Sequence, residues 1–484
     1  AQFGDHVNFD RQQRMLRDSV DPQVVQQTFA HPYLYLWGCA CLVGMGEFGK
    51  GADLLQQGNR LSQPFATPHM HSQLLQWQAY IHALQGNAED ARAHIREAGR
   101  LRAEAGGRFY EIFYNIIAGA THARLGDHDQ ARALLSSGIE KAEQMPSDYL
   151  LAAGLMHRAW LHLARQDMAG MEQDLARGLS LMRDNGFTFF WSWEPGFMGD
   201  LLARAMDSDL APFADRLARE RLDLFFDSSG APCPLLSISM LGGFRIAHGS
   251  RTLLTADDFT PAQRHMLSLL MASNGLQISQ EAIQAELWPD SPPDKARSKL
   301  DTLVMRLRRV LATAVPAPAK NYLVMQRGIL SLKNCRTDGE EFSRLVHRGL
   351  ALAREEKYWL ADNAFHRALV LWKGAPDRDD LYSSRMDEYS DRLLALLARM
   401  GQTWAMALAE SERTEEAIEV LDKVLSFNRM EDRLISLLYT LYLRTGNMLK
   451  ARELLGQYRQ TLRDQGYPED EVDDLVFRIA SSAA

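Results

Sequence analysis

Over the first ~230 positions, apolar residues recur at three- and four-residue spacing in helix-length stretches. Leu74, Trp77, Tyr80, Ile81 and Leu84 form one such set, and Ile116, Ile117, Ala120 and Ala123 another. Turn signals separate the stretches at Gly46-Glu47, Gly86-Asn87, Gly126-Asp127 and Gln166-Asp167, each 40 residues after the last. Small residues that let two helices approach, Ala52, Ala91 and Ala131, follow three of these turns. A fixed period of helix, turn and helix predicts an α-solenoid, whose units bury their apolar faces only by stacking on one another. About five hairpins fit between His31 and Asp227.

The pattern then changes twice. Asp227 to Pro234 has no periodicity and reads as a linker. Leu236–Met240 and Phe244–His248 alternate like short strands around Gly242-Gly243. Thr260-Pro261 starts a helix that Asn274-Gly275 stops, and Ser279 opens a second that ends at Trp288-Pro289. Ser291-Pro292 and Asp294 open a third, running to about Ala312. Tyr322–Met325 and Ile329–Leu332 then flank Gln326-Arg327-Gly328 as a β-hairpin. Strands, three helices and a terminal hairpin describe a winged helix-turn-helix. From Gly339 the chain is helical again, with turns at Glu412 and Gly446, 34 residues apart, and Ala361, Ala417 and Ala451 in tetratricopeptide-like contexts. The expected fold is mainly α. A helical-repeat domain (1–229) and a second one (338–484) enclose a small α+β winged helix (235–333).

The third helix of the middle segment carries the chemistry. At 100° per residue, Ala296, Leu300, Leu303, Val304, Leu307 and Leu311 share one face and must pack inward. Lys295, Ser298, Lys299, Thr302, Met305, Arg306 and Arg309 share the other. An α-helix fits the DNA major groove, where Lys and Arg reach guanine acceptors and Ser or Thr serves any base. Gln326 and Arg327, at the hairpin tip, are placed to enter a minor groove or meet phosphate. Charge supports this locally: the chain carries −8 overall, but Leu235 to Lys333 has 12 Lys/Arg against 7 Asp/Glu. A basic island in an acidic chain points to a polyanion site.

The middle stretch resembles the OmpR-type winged helix of the Streptomyces antibiotic regulatory protein family. The matching residues are Leu241-Gly242 with Phe244, Glu286-Leu287-Trp288-Pro289-Asp290, and Arg306-Leu307-Arg308-Arg309. The following ~145 residues resemble that family's bacterial transcriptional activator domain through Leu371-Trp372-Lys373-Gly374, Glu415-Glu416-Ala417, Arg429-Met430-Glu431-Asp432 and Tyr442–Ala451. The proline usual in the Arg429–Asp432 motif is missing here. The N-terminal repeats look like those of maltose-activator-like regulators. STAND-class regulators place an ATPase before such repeats, and its Walker loops would then lie upstream of Ala1, a start that suits a piece of a longer protein. The resemblance implies a transcriptional activator with double-stranded DNA and RNA polymerase as partners. It further implies an effector or protein partner on the solenoid and self-association. A signalling ATPase lacking its catalytic part and a protein-binding scaffold are the rival readings.

Composition excludes little more. With 46% hydrophobic and 24% charged residues, 484 positions suit three soluble domains. The apolar run Tyr33–Val43 is too short to span a bilayer, and no signal peptide precedes it. Four cysteines make neither a disulfide framework nor a zinc site, which fits the cytoplasm. Gly44–Lys50 mimics a phosphate loop, but Gly51 stands where a magnesium-binding Ser or Thr belongs, and the glycines fall in phase with the repeat turns. His69, His71, His157 and His162 lack the partners of a metal site. Phe189, Phe190, Trp191 and Trp193 are expected in helix packing before any effector groove. No catalytic constellation stands out, so no enzyme activity and no cofactor is expected.

Overall fold

The computed structural model describes residues 31–62, 67–376 and 383–482. The first 30 residues of the expected N-terminal domain lie outside this set. The chain divides into two compact units, residues 1–233 and 234–484.

Among the described residues of the first unit, eight helices pair as four antiparallel hairpins. They are α1 (His31–Gly44) with α2 (Phe48–Ser62), α3 (Pro68–Leu84) with α4 (Ala88–Ala105), α5 (Arg108–Arg124) with α6 (His128–Glu143), and α7 (Asp148–Ala164) with α8 (Met168–Asp184). Each hairpin turns in the same way. After α5, Gly126 takes φ 77°, Asp127 N–H donates to His122 O, and Gly126 N–H donates to Ala123 O. Those two bonds satisfy carbonyls that the helix end leaves open, and only a left-handed residue allows them. Gly46 and Gly86 repeat the geometry at φ 78° and 82°, and Gln166 does so at φ 60° without being glycine. Gln166 is exposed, so Gln166→Gly removes strain and loses no packing. The change is expected to stabilise the unit by about 0.5–1 kcal/mol, a melting rise of roughly 1–3 °C by calorimetry. A fall in melting temperature would contradict that account.

Three expectations change here. Ala91 and Ala131 are fully buried between helices, but in the first hairpin the equivalent residue is Gly51, five after Gly46, and Ala52 is only half-buried. A Cβ on Gly51 would already touch Ile81 at 3.4 Å. A regular fifth hairpin does not form. Beyond α8 the chain packs Phe189, Phe190 and Trp193 into the core and continues as two short helices, α9 (Pro195–Arg204) and α10 (Ala211–Leu217). Large aromatics need more room than a regular repeat leaves, and Pro195 fixes a new helix start. Finally, the expected linker is a tight turn between β1 (Leu224–Phe226) and β2 (Pro232–Pro234). The Asp227 carboxylate organises it by accepting from Ser229 N–H, Ser229 O–H and Ala231 N–H.

The second unit begins with a four-stranded sheet in the order β5-β4-β3-β9, made of β3 (Leu236–Ser239), β4 (Arg245–His248), β5 (Arg251–Thr255) and β9 (Cys335–Thr337). Then come α11 (Pro261–Ala272), β6 (Gln277–Ser279), α12 (Gln280–Leu287), α13 (Pro293–Ala314) and the hairpin β7 (Leu323–Gln326) and β8 (Ile329–Leu332). Local chemistry sets the helix starts: Thr260 and Gln263 form a capping box on α11, and Ser279 accepts the Ala282 N–H on α12. Seven helices follow: α14 (Asp338–Arg354), α15 (Tyr358–Leu371), α16 (Ser384–Glu410), α17 (Thr414–Leu425), α18 (Asp432–Arg444), α19 (Met448–Asp464) and α20 (Glu469–Ser482). Glu412 and Gly446 take the left-handed turn positions at φ 60° and 73°. Ala361, Ala417 and Ala451 are buried.

The sheet and these helices are joined by a close backbone contact. Leu241 enters the helical core with Phe342 and Trp372 and bridges to Pro376. Gly242, at φ 85°, lies so near Lys373 that a Cβ would stand 2.7 Å from its carbonyl carbon. A Cβ on Gly374 would in turn meet Gly242 Cα at 3.2 Å. The Asp338 carboxylate accepts the Met240 and Leu241 N–H groups from the same side. The motifs Leu241-Gly242 and Leu371–Gly374, far apart in sequence, are thus the two halves of one joint.

Candidate nucleic-acid interface

Helix α13 has 22 residues, about 33 Å of axis. Proline at its first position costs no hydrogen bond, and its buried residues are Ala296, Leu300, Leu303, Val304, Leu307 and Leu311, all six of the expected stripe. The helix runs two residues beyond the expected end at Ala312, because Leu311 accepts the Val315 N–H that closes it.

Opposite that stripe, Lys295, Ser298, Lys299, Met305, Arg306 and Arg309 are exposed, Met305 by 52%. An exposed methionine between cations serves no core. Thr302 differs: it is half-buried, and its hydroxyl donates to Ser298 O at 2.9 Å, a bond back to the preceding turn that leaves only its lone pairs free. Lys299 is held in place. Its Nζ donates to Ser291 Oγ at 2.9 Å and lies 5.8 Å from the Trp288 ring centre, so the α12–α13 loop fixes where this cation points.

The hairpin is a two-residue turn with Gln326 opposite Ile329. Arg327 at φ 52° and Gly328 at φ 76° both take the left-handed form that matches the twist of a hairpin. Gln326 and Arg327 are exposed at this tip. Two contacts tie the hairpin to the helices. Arg308 donates from Nε and Nη2 to Leu323 O at 3.1 and 2.8 Å, and Gln280 N–H donates to Gly328 O at 2.8 Å. A third strand, β6, pairs with β8 and gives the order β6-β8-β7. Sequence reasoning missed both β6, three residues with one buried side chain, and the positioning role of Arg308, whose signal was its place at the edge of the apolar stripe.

The other candidates resolve into packing. Gly44–Lys50 is the first repeat turn, with Lys50 paired to Glu47 at 3.3 Å. The His69 ring bonds Tyr33 OH through Nε2 and Arg102 through Nδ1. His157 stacks on Phe197 with Nε2 2.7 Å from Ser192 Oγ, and burial, helped by Arg124, pushes its pKa down to about 3. His162 pairs with Asp167. Among the described residues no group of three or more His, Cys, Asp or Glu could hold a metal, and no helix is long and apolar enough to cross a membrane.

Residues 256–329 match the family model for a transcriptional regulatory protein C-terminal domain, and residues 337–478 match that for a bacterial transcriptional activator domain. The regulatory protein DnrI of Streptomyces peucetius is 32% identical over 178 residues, covering 34% of this chain and 64% of its own length. The regulatory protein AfsR of Streptomyces griseus is 24% identical over 264 residues, covering 51% of this chain and 25% of its own length. The chain thus spans less than two thirds of either relative. The solved structure of Mycobacterium tuberculosis EmbR with a low-affinity phosphopeptide aligns with 52% of this chain and 66% of its own, at 21% identity and a TM-score of 0.40. The second unit therefore carries an OmpR-type winged helix followed by a bacterial transcriptional activator domain, the pairing expected from its resemblance to the Streptomyces antibiotic regulatory proteins.

Proposed function

We propose that this chain is a sequence-specific DNA-binding transcription regulator acting as an activator. The observation that carries the reading is the exposed basic face of α13, set opposite a fully buried stripe and beside a hairpin pinned to the same helix. Lys295, Ser298, Lys299, Thr302, Met305, Arg306 and Arg309 would face base edges in the major groove. Gln326 and Arg327 would meet phosphate or the adjacent minor groove. Contacts to phosphate fix the register while contacts to bases give the sequence. The helices after Asp338 would contact RNA polymerase or a second copy, and the N-terminal repeats would receive an effector or partner in the cytoplasm. The working division is a sensor region to 229, a reader from 235 to 333 and an activator domain from 338. Sequencing the genomic DNA recovered with the full chain tests the reading. A shared motif in the recovered fragments supports it, and random fragments at low salt overturn it.

Arg327 provides a finer test. A left-handed turn residue prefers Asn or Gly, so arginine here carries about 1 kcal/mol of strain. Arg327→Asn is therefore expected to raise the melting temperature while weakening binding to many sequences alike. The slope of log affinity against log salt should fall by about one phosphate contact. An unchanged slope would remove Arg327 from the interface.

A further inference from the structure

Two cavities, of 570 and 480 Å³, adjoin in the second unit and share Ala272, Ser273, Asn274, Tyr389 and Arg392. One face of α16 lines both. Arg385, Tyr389, Arg392, Leu396 and Arg399 recur at three- and four-residue spacing and so point the same way. We propose that the larger cavity binds a drug-sized apolar molecule bearing a carboxylate or sulfonate, and that Arg392 and Arg399 receive its charge.

The floor is apolar, formed by Met271 from α11 and by Ala395 and Leu396 from α16. Arg392 and Arg399 both line the cavity, about 10 Å apart along the helix, so an acidic group at one end of an elongated molecule meets a guanidinium. The Arg392 guanidinium lies 5.4 Å from the Tyr389 ring centre, which holds it in place and leaves its N–H edge available. Neither arginine, nor Arg385 in the smaller cavity, forms an ion pair with a described carboxylate. Elsewhere on these helices comparable arginines do: Arg344 pairs with Glu341, Arg413 with Glu416 and Arg463 with Glu469. Glu340 lines the larger cavity and Glu388 the smaller, so cations outnumber carboxylates in each without being neutralised. The volume suits a small-molecule site, which combines apolar walls with few polar anchors. Ser273 to Gly275, which also line the larger cavity, belong to the segment that joins α11 to β6, so an occupant would touch both the hairpin sheet's approach and the activator helix. This inference does not depend on the proposed DNA contact.

The test is a fluorescence titration of the full chain with 8-anilinonaphthalene-1-sulfonate, an aromatic sulfonate of the stated chemistry. One saturable site is expected, weakened at least fivefold by Arg392→Ala or Arg399→Ala. Ala395→Trp, which fills the cavity from an exposed position, should abolish binding without lowering the melting temperature. Arg452→Ala, an exposed arginine away from the cavity, should leave it unchanged. Parent-like titration in both arginine variants, or in Ala395→Trp, overturns the proposal, as does equal weakening by Arg452→Ala. Unchanged probe binding with a reduced salt dependence of DNA binding would reassign the arginines to phosphate, which also overturns it.

Discussion

Gly242→Ala is expected to destabilise the second unit by about 3 kcal/mol, a melting loss of roughly 6–12 °C for a body of this size. Two costs combine. At φ 85° any L side chain is strained, and the new methyl would stand 2.6–2.9 Å from Cβ, carbonyl carbon and oxygen of Lys373. Two of those three atoms are backbone, so relief requires the loop bearing Leu241 to lift out of the helical core. Gly243 is the control. Its φ of 134° also disfavours a side chain, but nothing stands within 4 Å of the added atom, so Gly243→Ala should cost about 1 kcal/mol. Equal melting losses in the two variants would show that backbone strain alone, and not the contact with Lys373, makes glycine necessary at 242.

The second large effect concerns recognition. Arg306→Ala and Lys299→Ala are each expected to weaken operator binding by ~1–3 kcal/mol, from about fivefold to 150-fold, and to relax preference at one base position. Both side chains are exposed on the face opposite the buried stripe, so the melting temperature should not move. Lys299 should show the sharper loss of specificity, because Ser291 and Trp288 already fix its direction and less freedom is lost on binding. Arg308→Ala should behave in the opposite way, lowering the melting temperature first because it unpins β7. Parent-like affinity in both Arg306→Ala and Lys299→Ala would put the reading face elsewhere.

What the sequence determined by itself was whatever repeats locally. The apolar stripe of α13 was legible because a helix imposes its period on burial, and six of six inward residues could be named from spacing alone. The repeat turns were legible for the same reason. A helix that ends in a left-handed residue needs glycine, or a tolerated substitute such as Gln166, at a fixed phase. Tertiary structure decided the rest. Strand β9 is three residues long and exists only because it lies parallel to β3, with Leu236 beside Cys335 across about a hundred residues of chain. No local pattern marks such a strand. Gly51 could not be told from Ala52 until the neighbouring helix showed which of the two it approached. The aromatic run at 189–193 broke the repeat because its side chains needed a core that only the stacked helices supply. Leu241-Gly242 and Leu371–Gly374 were each visible as motifs, but their meaning as one joint required seeing Gly242 against Lys373. The cavity beside Arg392 and Arg399 was invisible in the same way. Periodicity places three arginines on one helix face, and only packing decides whether that face meets solvent, a carboxylate or an apolar floor.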